Sequence, residues 1–195
     1  MKLVNLIGAA VFVVSLFASS AKAGLITGNL NVDNAFQAYI STDNSVQGVL
    51  VDSGANWPVT DTFSYGLVDG VDYFIHIAAQ DHGGIASFIG EFTLGAGHVF
   101  ENGTDTLLTN ATDWQVSTTG WSNYTTATVH GSNGSSPWGN IAGVDSSAQW
   151  IWSADAHGDN SVFFTAAIKA VDVPEPSTLA VFTLVLAGLM LRRKA

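Results

Sequence analysis

The stretch Val71-Asp72-Tyr73-Phe74-Ile75-His76-Ile77-Ala78-Ala79, residues 71–79, decides the fold class. Side chains of a β-strand alternate between its two faces, so Tyr73, Ile75 and Ile77 share one face and the intervening residues share the other. Both faces are mostly apolar. This pattern predicts a central strand that is covered on both sides.

Strand-like runs recur through the middle of the chain, at residues 35–41, 46–51, 85–94, 113–118, 149–153 and 161–171. Clusters of Gly, Asn and Asp separate them, and no stretch has a sustained helical period with caps. The predicted fold is all-β, an antiparallel jelly-roll sandwich flanked by an N-terminal signal helix and a C-terminal apolar helix. In this sandwich Trp150 and Trp152 are predicted on one strand face, with Ile151 opposite.

Charge is distributed unevenly along the chain. All sixteen acidic residues lie between Asp33 and Glu175, and the segment 24–175 contains one base, Lys169, which gives it a formal charge of −15. Such a surface excludes nucleic-acid binding through released counterions, and anionic lipid headgroups repel it. The chain has no cysteine, which excludes disulfides and thiolate metal sites.

The N-terminus has the layout of a secretion signal. Lys2 precedes an apolar run at residues 3–17, and the small-residue pattern Ala21-Lys22-Ala23 follows. We expect residues 1–23 to be a signal peptide that passes through the Sec translocon, with cleavage after Ala23 and Gly24 as the new N-terminus. The alternative is an uncleaved membrane anchor, for which the apolar run is short.

The C-terminus has three parts in order: Val173-Pro174-Glu175-Pro176-Ser177-Thr178-Leu179, an apolar stretch ending at Leu191, and the basic cluster Arg192-Arg193-Lys194. As a helix, residues 177–191 would extend about 22 Å, which is short of the ~30 Å hydrocarbon core of a membrane. The basic cluster predicts a cytoplasmic end, which leaves the domain outside the inner membrane.

This tail, residues 173–195, resembles the PEP-CTERM sorting signal. The resemblance implies that the tail holds an exported protein transiently at the inner membrane until an exosortase-type enzyme cuts near Pro174-Glu175-Pro176. The protein then reaches the cell surface or extracellular matrix, in bacteria that make exopolysaccharide. The alternative is an ordinary C-terminal anchor with a proline-rich hinge.

The segment 24–172 is similar to galactose-binding-like jelly-roll domains. The similar segments are Asp33 to Ile40, Gly70 to Ala86, Pro137-Trp138-Gly139, Ala148 to Ser153 and Ser161 to Phe164. The resemblance implies a sandwich that binds carbohydrate. The strand Phe163-Phe164-Thr165-Ala166 lacks the arginine expected after the aromatic pair in many relatives.

Three tryptophans beside Gly or Pro are candidate carbohydrate platforms: Trp57, Trp121 and Trp138. The apolar face of a sugar stacks on an aromatic ring, while its hydroxyls require polar partners. The alternative is that these rings cap the ends of the core, since large aromatic side chains are usually buried.

Two pairs of oxygen-bearing side chains are candidate calcium ligands, Asp33 with Asn34 and Asp155 with Asp159, because calcium prefers carboxylate and amide oxygens. The alternative is that they are solvated residues of turns. Calcium is the one cofactor that the sequence suggests.

No catalytic motif is present. The five histidines are dispersed without zinc spacing, and there is no G-x-S-x-G elbow, cysteine nucleophile or Gly-rich phosphate loop. We therefore predict a non-enzymatic surface or matrix protein that binds extracellular polysaccharide. The alternatives are a structural matrix protein without a sugar site and a secreted carbohydrate-active hydrolase.

Overall fold

The computed structural model describes residues 24–171, which form two antiparallel sheets packed as a sandwich. In chain order the strands are β1 (Gly24–Asp33), β2 (Ala35–Ser41), β3 (Val49–Gly54), β4 (Asp61–Leu67), β5 (Tyr73–Gln80), β6 (Ser87–Leu94), β7 (His98–Phe100), β8 (Thr106–Leu108), β9 (Gln115–Ser117), β10 (Thr125–Thr126), β11 (Thr128–Ser132), β12 (Gln149–Trp152) and β13 (Ser161–Ala170). The predicted all-β sandwich is confirmed. The predicted signal helix and C-terminal apolar helix lie outside the described residues, and none of residues 24–171 belongs to a helix able to cross a membrane.

Each sheet is built around long antiparallel pairings. The first sheet has the order β11-β12-β6-β1-β4, with β8 also paired to β6. The second has the order β10-β9-β13-β5-β2-β3, with β7 also paired to β13. Consecutive strands often lie in different sheets, so neighbours in the core come from distant parts of the chain.

The interior between the sheets is rich in aromatic rings. Phe88, from β6 of the first sheet, has its ring centroid 5.2 Å from that of Trp114 and 5.1 Å from that of Phe164 in β13 of the second sheet. Tyr73 and the alternate residues of β5 also face this core, as the sequence predicts. Edge-to-face and tilted aromatic pairs of this kind stabilise a fold beyond the area that they bury.

A second apolar cluster covers the outer face of the first sheet. The chain between β11 and β12 folds back over β6 and β12, and the buried members of the cluster are Ile89, Trp138, Ile141, Val144, Ala148 and Trp150. A small satellite core on the outer face of a sheet explains how so many apolar residues are buried in a sandwich of this size.

The prediction that Trp150 and Trp152 share a strand face is wrong. Trp150 belongs to the outer cluster, whereas the ring of Trp152 packs 5.7 Å from Phe164 inside the sandwich. The register between β11 and β12 shifts between Val129 and Gly131, so that β11 carries one extra residue. A bulge of this kind bends the bulged strand and increases the local twist of the strand pair.

Gly28 allows two aromatic rings to lie over the centre of β1. It is paired with Phe63 of β4 on one side and Phe92 of β6 on the other. A Cβ at position 28 would be 2.5 Å from Cε1 of Phe63 and 2.8 Å from Cδ1 of Phe92. The rings therefore occupy the space that a side chain would need.

We expect Gly28→Ala to lower the free energy of unfolding by about 1–3 kcal/mol, because the methyl group overpacks the space between the rings. Gly66→Ala in β4 is the matched control, since its Cβ would have no atom within 4 Å. The control should change stability by less than about 0.5 kcal/mol. Guanidinium denaturation followed by tryptophan fluorescence measures both, and equal effects would contradict this account of Gly28.

Candidate functional site

The second sheet is interrupted at one edge of β13. On this edge β9 pairs with residues 163–165 and β7 with residues 168–170. At the interruption, the backbone N–H of Glu101 donates to the carbonyl oxygen of Ala167 over 3.1 Å. Because the side chains of Ala166 and Ala167 are small, the gap between β9 and β7 opens into a cavity of about 290 Å³.

The cavity combines an apolar floor with a polar rim. Phe74 and Ala167 occupy outward positions on neighbouring strands, and Glu101 lies in the exposed turn after β7. The full lining is Asn44, Phe74, Phe100, Glu101, Asn102, Leu107, Thr112, Asp113, Gln115, Thr165, Ala166 and Ala167. No residue of this lining was a candidate in the sequence analysis, because the cavity results from strand register and not from a local motif.

Side-chain amides hold the acidic part of the rim in position. Oδ2 of Asp113 accepts hydrogen bonds from Nδ2 of Asn102 over 3.0 Å and from Nδ2 of Asn110 over 2.9 Å. Backbone N–H groups of Thr112 and Asp113 donate to Oδ1 of Asn110, over 2.7 Å each. The Asp113 carboxylate is therefore fixed beside the cavity, whereas Glu101 is exposed and free of such contacts among the described residues.

Asn44 fixes the loop that follows β2 against the other side of the cavity. Thr165 Oγ1 donates to Oδ1 of Asn44 over 2.6 Å, and the Tyr124 hydroxyl donates to the backbone carbonyl oxygen of Asn44 over 3.1 Å. Nε2 of the buried His76 lies 3.1 Å from the same Oδ1. Burial raises the pKa of Tyr124 to about 12 and lowers the pKa of His76 below its usual 6.5, so both groups are neutral at neutral pH.

A row of aromatic rings extends from the cavity across the outer face of the second sheet. Phe74 stacks near His76 with centroids 6.2 Å apart, and His76 stacks on Trp121 at 4.4 Å with an interplanar angle of 16°. Trp121 also forms T-shaped pairs with Tyr39 and Phe163. Trp121, one of the predicted platforms, is thus half-buried at the far end of this row.

The other two predicted platforms lie on the opposite side of the sandwich. Trp138 is 5% exposed, stacks on Trp150 at 4.6 Å and donates from Nε1 to Oδ2 of Asp33 over 2.9 Å. Trp57 is half-buried and packs against the same outer cluster. The structure therefore does not bring the three tryptophans together, and their role in carbohydrate binding stays a prediction.

The predicted calcium ligands make hydrogen bonds within the protein. Nδ2 of Asn34 donates to Oδ1 of Asp33 over 2.7 Å. Burial raises the pKa of Asp33, the hydrogen bond from Trp138 partly offsets this, and the charge of Asp81 adds to it.

The second pair lies in the turn before β13. Oδ1 of Asp155 accepts the backbone N–H groups of His157 and Gly158, and the carbonyl oxygen of Asp159 accepts Nε1–H of Trp152. Nowhere in residues 24–171 do three or more His, Cys, Asp or Glu side chains form a group that could hold a metal ion. Calcium binding by either pair stays a prediction.

The terminal candidates mostly fall outside the described residues: Ala21, Ala23, Pro174, Glu175, Pro176, Arg192, Arg193 and Lys194. Gly24 is described and begins β1.

Residues 172–194 match the family described as the PEP-CTERM protein-sorting motif. The chain carries a PEP-CTERM sorting motif. The motif marks an exported protein that is held transiently at the membrane and processed by an exosortase. No curated protein and no solved structure matches the chain.

We expect the pH dependence of stability to depend on His76. The unfolded chain takes up a proton near pH 6.5 while folded His76 remains neutral, so its stabilising contribution is complete above pH 6.5. The contribution decreases as the pH falls from 6.5 through the pKa of the folded state. Urea denaturation at about pH 7.5 and about pH 5 should show a smaller loss of stability on acidification for His76→Gln than for wild type. Equal losses would contradict this role.

Proposed function

We propose that this protein is a non-enzymatic component of the cell surface or extracellular matrix that binds polysaccharide in the cavity beside β13. The observation that carries the proposal is the placement of the Phe74 ring among amide, hydroxyl and carboxylate groups in one open cavity. The PEP-CTERM motif supports it, because the motif marks an exported protein, and an exported domain can meet extracellular polysaccharide.

The chemistry of the lining suits a polyhydroxylated ligand. A sugar ring has an apolar face that can lie on Phe74, and its hydroxyl groups can bond to Asn44 and Gln115 at the rim. A cavity of about 290 Å³ is just below the range for small-ligand sites, which begins near 300 Å³. We therefore infer that it accepts one sugar unit of a longer chain.

The negative charge of the domain and of its cavity restricts which polysaccharides can bind. The described residues include fourteen acidic side chains and one lysine, and two of the acids, Glu101 and Asp113, line the cavity. Uronate or sulfate groups would be repelled, whereas an uncharged sugar would not be. An amino sugar would gain a charge-assisted hydrogen bond to Glu101. The proposed ligand is a neutral or amine-bearing glycan.

The second candidate is a structural matrix protein without a sugar site. The packing of Trp57 and Trp138 favours it, because two of the three predicted platforms contribute to the outer cluster. In this case the folded protein would bind none of the glycans below. A hydrolase would instead cleave the oligosaccharides, and assaying the incubated samples for new reducing ends would detect this.

Calorimetric titration of the exported protein with neutral, amine-bearing and uronate oligosaccharides tests the leading proposal. Phe74→Ala should weaken binding of the neutral oligosaccharide by at least about tenfold, about 1.4 kcal/mol. Tyr65→Ala is the matched control, because Tyr65 is a half-buried aromatic residue of the first sheet. Binding that is unchanged in Phe74→Ala would place the ligand elsewhere.

The charge argument has its own test. Glu101→Gln keeps the shape of the side chain and should remove the preference for the amine-bearing oligosaccharide, while affinity for the neutral one stays the same. Asp159→Asn, which removes one negative charge outside the cavity, should leave the preference intact. Tighter binding of the uronate oligosaccharide than of the neutral one would overturn the assignment.

A further inference from the structure

His98 of β7 has a buried nitrogen that lacks a hydrogen-bond partner. The residue is 2% exposed, and its Nε2 lies 3.1 Å from the carbonyl oxygen of Val71. A carbonyl can only accept, so Nε2 carries the proton of the neutral ring and Nδ1 is left as an acceptor. No group of residues 24–171 donates to Nδ1. A buried acceptor without a donor is destabilising, so the groups that surround it are of interest.

Gly24 lies beside this nitrogen of His98. A Cβ at position 24 would lie 2.6 Å from Nδ1 of His98 and 3.2 Å from the carbonyl oxygen of Ala96. Gly24 is buried at the start of β1, where it is paired with Leu67. The backbone N–H of Gly95 also donates to the carbonyl oxygen of Leu25 over 2.7 Å, which holds the beginning of the strand in place. The backbone of Gly24 is thus fixed next to two acceptors.

We propose that hydrolysis of the Ala23–Gly24 bond creates the missing donor, and that the new α-amino group of Gly24 donates to Nδ1 of His98. A peptidase of the signal-processing class adds water across this bond, which leaves a carboxylate on Ala23 and an ammonium group on Gly24. The processed N-terminus becomes a buried structural element of the domain.

The change in the geometry of the nitrogen explains why cleavage matters. In an intact chain the Gly24 nitrogen has one hydrogen, which is confined to the peptide plane. After cleavage it is tetrahedral, carries three hydrogens and rotates about its bond to Cα. Its hydrogens are then no longer confined to one plane, so one N–H can be directed toward His98.

Amine labelling of the exported protein, recovered after processing in its own cells, tests the proposal. Intact mass and N-terminal sequencing should give Gly24 as the first residue. A brief treatment with an acetylating reagent then reports how accessible each amine is. The ε-amine of Lys169 is 42% exposed and serves as the reference within the same molecule. Relative to Lys169, the α-amine should react at least about tenfold more slowly in the native protein than in urea.

His98→Ala removes the acceptor and should raise the native labelling rate of Gly24 by about tenfold relative to Lys169. His98→Gln keeps an acceptor and should restore much of the protection, while the exposed substitution His82→Ala should have no effect. The labelling rate of the Gly24 α-amine can be compared between native and unfolded wild type without any variant. This comparison therefore tests the proposal even if His98→Ala fails to fold. A first residue other than Gly24, or an α-amine equally reactive in both states, would overturn the proposal and assign the partner of Nδ1 to water.

Discussion

The packing of aromatic rings between the two sheets is the interaction on which the other features depend. Phe88 in the first sheet meets Phe164 in the second, and Trp114 and Trp152 complete the contact. Because Phe164 anchors β13, the outer edge of that strand has a fixed position to which the short strands β9 and β7 can pair. The cavity is the space between these two strands, so the position of the proposed ligand site depends on the core contacts that hold β13.

Strands with strong alternation could be predicted from the sequence, whereas strands supported by distant residues could not. β2 has the predicted bounds Ala35–Ser41, and β5 and β13 agree within two residues at each end. β1 was missed although it is central in its sheet, because Gly28 and Asn31 weaken its local pattern. Their support comes from elsewhere: the rings of Phe63 and Phe92 cover Gly28, and Nδ2 of Asn31 donates to the carbonyl oxygen of Val59. Contacts of this kind override local propensity.

The candidate site was even less accessible to sequence reasoning. The loop tryptophans were selected by residue type, but the Nε1–H of Trp138 has a carboxylate partner 105 positions away that draws it into a buried cluster. The cavity itself depends on the side chains of Ala166 and Ala167 being small where two strands fail to meet, which is a property of register and not of composition. The sorting motif is the opposite case. It is contiguous, so the sequence predicted it directly and the family match confirms it.

The scarcity of basic residues has a consequence wherever many copies of the domain form a layer. Fourteen carboxylates and one lysine among residues 24–171 give each domain an excess of fixed negative charge. Many such domains held close together must be neutralised by mobile cations, whose concentration inside the layer exceeds that outside. The resulting osmotic pressure draws in water, so the layer swells at low ionic strength and contracts as added salt screens the charges. A layer of such domains would therefore act as a hydrating polyelectrolyte, whether or not the domain binds a glycan.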